Sequence, residues 1–180
     1  MFMKMKNMIN NFSVVIPVFN EEEIFLESAN KIYSICQEMN MPFEIIFSEN
    51  GSTDNTINLI QTFINDKNNC FTINSDYANY GLALKNGFEN AKNEIVISFD
   101  IDYFSKKFLE QALQLDENFV ALVASKRLSE SEDERTIVRK MATSIFVLIL
   151  KLLFQTSLSD THGMKALSLI HISEPTRLHG

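Results

Sequence analysis

Five short runs rich in β-branched and aromatic residues recur along the chain, and the four gaps between them carry apolar residues at helical spacing. The runs are 12–19 (FSVVIPVF), 43–48 (FEIIFS), 70–74 (CFTIN), 94–99 (EIVISF) and 119–125 (FVALVAS). The first gap places Ile24, Phe25, Ala29, Ile32, Tyr33, Ile35 and Cys36 on one stripe, the spacing of an amphipathic helix. The second opens on turn and cap residues, NGSTDNT at 50–56, with Thr53 or Asp54 placed to cap the helix that follows. Helices are also expected over 81–92 and 105–115. Strands alternating with helices require a mostly parallel central sheet covered on both faces. The expected fold class is therefore α/β.

Sheets of this kind bind ligands beyond the carboxyl ends of their strands. Polar clusters stand at three of those ends: Asn20-Glu21, Glu49-Asn50, and Asp100 with Asp102. The last pair admits two readings. Aspartate is common where a strand gives way to a loop. Two carboxylates on a short turn also offer hard oxygen ligands to Mg²⁺ or Mn²⁺, ions that keep open positions for phosphate. Three acid-bearing strand ends on one rim favour the metal.

Other classes recede on composition. The net charge of −7 disfavours a general nucleic-acid binder, which needs basic surface. The two cysteines, Cys36 and Cys70, form no CxxC or Cys/His cluster, so zinc and a disulfide framework lack support and a reducing compartment is expected. The N-terminal MFMKMKNMINN lacks the apolar core of a signal peptide. No run reaches the roughly 18–20 apolar residues of a membrane span, because Lys151 interrupts the nearest, 144–154.

The pieces SVVIPVFNEE (13–22), ENGSTDNT (49–56), NYGLALKNGFENA (79–91), FDID (99–102) and SDTHGMKA (159–166), in this order and spacing, resemble glycosyltransferase family 2. The resemblance covers nearly all of 12–166 and implies the GT-A nucleotide-sugar-binding fold. With ASKR (124–127), the last piece resembles the polyprenyl-phosphate branch of the family. Asp100 and Asp102 then stand as the metal-binding DxD pair, holding Mg²⁺ or Mn²⁺ and the diphosphate of a UDP- or GDP-sugar. Pro17, Phe19 and Glu21 line the nucleoside pocket, with Phe19 placed to stack on the base. Glu49 and Asn50 occupy positions where the family usually has two aspartates. Lys126 and Arg127 meet phosphate charge, Arg127 as a catalytic group, or else end a strand in solvent. Phe104 replaces a polar residue common in that branch.

The implied reaction is an inverting sugar transfer. A lipid-phosphate acceptor is already anionic and needs no strong base. A glycan hydroxyl needs one, and Asp160 is the candidate by position, with a loop aspartate as its plain alternative. Residues 134–154 read either as a core helix or as an amphipathic helix on an anionic membrane. The expected location is the cytoplasm, at the cytoplasmic face of the membrane. Residues 1–11 read as a tail and 167–180 as a non-native segment, because LSLIHISEPTR resembles a translated sequencing adapter. On that reading the natural chain continues beyond Ala166. Two rivals are weighed. A nucleotidyltransferase should carry a glycine-rich phosphate loop after the first strand, where this chain has PVFNEEE. A truncated transferase that binds without turnover is the other.

Overall fold

Strand β1 (Phe12–Val18) is buried at all seven positions, which only a central strand covered on both faces achieves. The computed structural model describes residues 9–115, 121–123 and 163–168. Around β1 run α1 (Phe25–Glu38), β2 (Phe43–Glu49), α2 (Thr56–Ile64), β3 (Cys70–Asn74), α3 (Tyr80–Asn90), β4 (Ile95–Ser98), α4 (Lys106–Leu113), β5 (Ala121–Val123) and β6 (Lys165–Ser168). The sheet order is β3-β2-β1-β4-β6-β5. β1, β2, β3 and β4 are mutually parallel, with Val14 opposite Ile45 on one side and Ile97 on the other.

Successive residues of a strand face opposite layers. Phe47 meets the helices of one layer: its ring lies 5.1 Å from Phe25 of α1 and 5.5 Å from Phe63 of α2, both edge-on. α1 presents Phe25, Ala29, Ile32 and Cys36 to this layer, one per turn. Ile46 points the other way and joins Val15 and Val96 beneath Leu84 and Phe88 of α3. Burying each such side chain stabilises the fold by about 1.5–3 kcal/mol. α3 lies very close to β1: a Cβ on Gly87 would fall 2.3 Å from Val15 Cγ1. Only glycine permits that approach.

Pro17 sits in a central strand, where a missing N–H normally breaks the ladder. Here the pairing of β1 with β4 ends at Val15 opposite Ser98. The odd-numbered amides of β1 face β4, since Val15 C=O accepts from Phe99 N–H. Pro17 therefore lies past the last β4 pair and forfeits no ladder bond.

The far end of the strands is knitted by a buried carboxylate. Glu44, 6% exposed, accepts through Oε1 from Ser13 Oγ and from the Lys92 amide, each at 2.6 Å. Ser13 Oγ in turn accepts from the Asn93 amide, and the Asn93 side chain donates to Phe12 C=O.

β6 runs antiparallel to β4 in the mostly parallel sheet, and it crosses the boundary drawn at residue 166: Leu167 pairs with Val96 and Ser168 with Ile95. Ser168 is 2% exposed. The outer edge of β4 needs partners for its amides, and β6 supplies them. The chain divides into one compact unit, 1–122 with 164–180, and a second, 123–163. The expected helix over 134–154 and residues 169–180 lie outside the described residues.

Candidate functional site

β1, β2 and β4 deliver Asn20, Glu49 and Asp100 to the same rim, because all three strands run the same way. The chain leaves β1 toward the α1 layer and enters β4 from the α3 layer. Between these two strands lies the switch point at which such sheets open a crevice.

The post-β1 and post-β2 loops are laced together. Asn20 adopts φ 53°, a left-handed conformation asparagine tolerates. Its Oδ1 accepts from the Thr53 amide at 2.8 Å, and its own amide donates to Ser52 Oγ at 3.0 Å. The Glu21 amide donates to Thr56 Oγ1 at 2.9 Å, and the Glu22 amide to Asp54 Oδ2 at 3.2 Å. Glu22 Oε2 accepts from the Asn55 amide. Asp54 Oδ1 accepts from the Thr56 amide at 2.9 Å, but the cap position of α2 belongs to Asn55, whose side chain makes no capping bond, so neither Thr53 nor Asp54 is the cap. Gly51, at φ +76°, presses so close to the Tyr77 backbone that a Cβ would sit 2.8 Å from the carbonyl carbon.

Glu49 and Asn50 are 1% and 5% exposed. Glu49 Oε1 accepts from the Ser52 amide. Asn50 Oδ1 accepts from the Asn79 amide at 2.6 Å. Asn79 caps α3 in turn, its side chain accepting from Leu82 N–H at 3.0 Å. Both residues thus build the rim. Pro17 is buried within β1, whereas Phe19 is 41% exposed and presents its ring at the crevice end of that strand.

After β4 the chain makes a tight turn closed by Asp100 and Tyr103, with N···O distances of 3.2 and 3.0 Å. Ile101 is 2% exposed and anchors the turn from below, leaving Asp102 in solvent. Phe104, read as a lost polar contact, is half-buried with its ring 6.5 Å from Phe99, so it packs beneath the turn. The Tyr80 hydroxyl donates to Asp100 Oδ1 at 2.8 Å. Burial first, then the bond to Asp100 and the charges of Asp100 and Asp102, pushes this phenol above its ordinary value. It is a donor at neutral pH. Burial, with the charges of Asp102 and Asp54 added, also raises the Glu21 carboxyl.

Among the described residues no group of three or more His, Cys, Asp and Glu side chains encloses a cation. The donor set here is a pair of carboxylates on one exposed turn. It suits a hard divalent ion that draws its remaining ligands from phosphate and water. Lys126, Arg127 and Asp160 lie outside the described residues. Tyr80 escaped sequence reasoning: nothing local marks an exposed aromatic in the first turn of a helix as the partner of a carboxylate twenty residues on.

The profile described as Glycosyl transferase family 2 matches residues 13–171. The undecaprenyl-phosphate 4-deoxy-4-formamido-L-arabinose transferase of Proteus mirabilis (strain HI4320) is 32% identical over 97 residues, 52% of this chain and 29% of that protein. Its counterpart in Pectobacterium carotovorum subsp. carotovorum (strain PC1) is 33% identical over the same length and shares. The chain therefore spans under a third of these relatives. Two solved structures share the fold. Glucosyl-3-phosphoglycerate synthase from Mycobacterium tuberculosis, in complex with Mn²⁺ and UDP-glucose, matches 88% of this chain and 56% of its own with a TM-score of 0.56 and 21% identity. A mannosyltransferase from Pyrobaculum calidifontis, in complex with GDP-Man and Mn²⁺, matches 67% and 36% with a TM-score of 0.54 and 19% identity.

Proposed function

The chain belongs to glycosyl transferase family 2, and from that membership we propose that it serves to transfer a sugar from a nucleoside diphosphate to a polyprenyl phosphate at a membrane surface. The observation that carries the reading is the Asp100–Asp102 turn at the carboxyl end of β4, the strand paired with β1. The polyprenyl-phosphate acceptor is supported by the relatives aligned above, whose names specify it.

Asp100 and Asp102 would hold Mg²⁺ or Mn²⁺ together with the donor diphosphate; both fold neighbours carry Mn²⁺ beside a nucleotide sugar. The ion neutralises charge on the departing diphosphate as a Lewis acid. Phe19 offers an exposed face for the base, and Glu21 an acceptor for a base or ribose donor. Glu49 and Asn50 keep the intervening loop in place, so they shape the nucleoside pocket from beneath. Lys126 and Arg127 are assigned to phosphate charge, with Arg127 as the catalytic group. An anionic lipid phosphate attacks without a general base, and Asp160 becomes necessary only for a hydroxyl acceptor. Among the described residues no helix is long and apolar enough to cross a membrane. Contact with lipid is assigned to the 134–154 segment, at the cytoplasmic face.

Calorimetry against UDP- and GDP-sugars, with and without Mn²⁺, tests the donor site. Binding should require the metal and weaken at least tenfold in Asp102→Asn. Release of nucleoside diphosphate should then depend on a short-chain polyprenyl phosphate in detergent. Unchanged affinity in the variant would remove the metal role, and turnover only with a glycan hydroxyl would remove the lipid acceptor.

A further inference from the structure

We infer that Tyr80 is a positioning residue for the Asp100 carboxylate, holding Oδ1 through its hydroxyl so that the second oxygen is left for a divalent ion. This rests on the donor-site reading above. The observation is the 2.8 Å bond from the Tyr80 hydroxyl to Asp100 Oδ1. Its physical force comes from what fixes the donor. Tyr80 opens α3, directly after Asn79. The Asn79 amide is held by Asn50 Oδ1 at 2.6 Å, and its side chain caps the helix at Leu82 N–H. The phenol is therefore carried on a helix start tied to the end of β2. The acceptor is equally fixed, because Asp100 closes its own turn with Tyr103 through two backbone bonds. Two rigid pieces of backbone meet through one hydroxyl.

A carboxylate at the end of a free torsion must give up rotamer freedom when it binds an ion. One already held by a hydrogen bond has lost that freedom beforehand, and partners of this kind typically govern metal affinity by about 10–100-fold. Packing does not account for the contact, since Tyr80 is 47% exposed. Asp102 makes no hydrogen bond among the described residues, so the assignment concerns Asp100 alone.

The test is Mn²⁺ binding by Tyr80→Phe, read from the loss of the free-ion electron paramagnetic resonance signal, with Mn²⁺ alone and with UDP or GDP added. Removing only the hydroxyl keeps the ring, and an exposed site leaves the melting temperature unchanged. The expected result is Mn²⁺ affinity lowered about tenfold or more, both with Mn²⁺ alone and with nucleotide added. Equal Mn²⁺ affinity in Tyr80→Phe, beside a clear loss in Asp102→Asn, would overturn the positioning role and leave the metal site standing. Tighter binding in Tyr80→Phe would also overturn it, showing that the hydroxyl competes with the ion. Failure of the unaltered protein to bind Mn²⁺ with either nucleotide would overturn both this inference and the donor-site reading.

Discussion

The Asn50 side-chain oxygen accepts the Asn79 amide at 2.6 Å, joining the end of β2 to the cap of α3 across 29 residues of sequence. Asn50→Ala leaves a partly buried N–H without its acceptor, which costs about 1–3 kcal/mol. Asn50→Asp keeps an oxygen at the same place and should retain more stability than Asn50→Ala. Urea denaturation of both variants checks the order. An alanine variant as stable as the parent would show that the strap carries no load.

Gly87→Ala should destabilise the fold despite better helix propensity. Alanine gains about 1 kcal/mol over glycine in a helix. Against this stands a contact of 2.3 Å with Val15, a fully buried, β-branched residue of the central strand. Overpacking of this kind costs about 1–3 kcal/mol and should exceed the gain. A double-mutant cycle with Val15→Ala should show coupling of the two sites, since a smaller residue at 15 removes the clash. Additive effects would place the cost elsewhere.

Glu21 gives a pH dependence with a definite sign. Burial, then the charges of Asp102 and Asp54, raise its carboxyl above the ordinary 4.5 in the folded protein. The folded state therefore binds that proton more tightly than the unfolded chain does. Its favourable contribution is complete below the unfolded value and is lost as pH rises through the folded one. At pH 7 the ionised group opposes folding. Glu21→Gln should be more stable than the parent at pH 7, by less than about 1 kcal/mol after solvent screening. The difference should vanish as pH falls below the ordinary carboxyl value. Melting curves across that range decide it, and a variant less stable at pH 7 would contradict the sign.

Cys36 and Cys70 should be silent toward thiol reagents in the folded protein. Both are free and buried. Burial first, with the neighbouring Cys70 second, pushes the Cys36 thiol up to about 12. Burial pushes Cys70 up to about 12 as well, against the opposing pull of Lys67. Thiolate fraction alone slows reaction by roughly a thousandfold against a free thiol. Labelling with a chromogenic disulfide at pH 8 should therefore appear only in denaturant. Rapid labelling without it would report opening between α1 and β3.

The alternation of strands and helices could be read from the sequence because each element carries its own local signature. The run at 12–19 is apolar throughout, and α1 repeats its apolar residues once per turn. The shared rim followed from strand direction alone. β6 carried no such signature. Four residues, KALS, become a strand only because the open edge of β4 pairs with them. The rim's internal bonding was equally hidden. Glu49 and Asn50 read as donor-binding residues in a linear sequence, and the fold adds that each also supports the rim, through partners up to 29 residues away. Tyr80 becomes meaningful only when α3 brings it beside Asp100.

The buried Glu44 carboxylate also bears on how the chain reaches its fold. Its two donors arrive from segments 31 residues before it and 48 after it. When β1 meets β2 in register, Ser13 stands directly opposite Glu44 and supplies the first bond. The second forms only when the end of α3 settles against β2. A slip of β1 along β2 would take Ser13 away from the same buried carboxylate, at a cost of about 1–3 kcal/mol. Parallel strands assemble slowly and admit such slips. Glu44 therefore ties the register of β1 on β2 to the satisfaction of a buried charge.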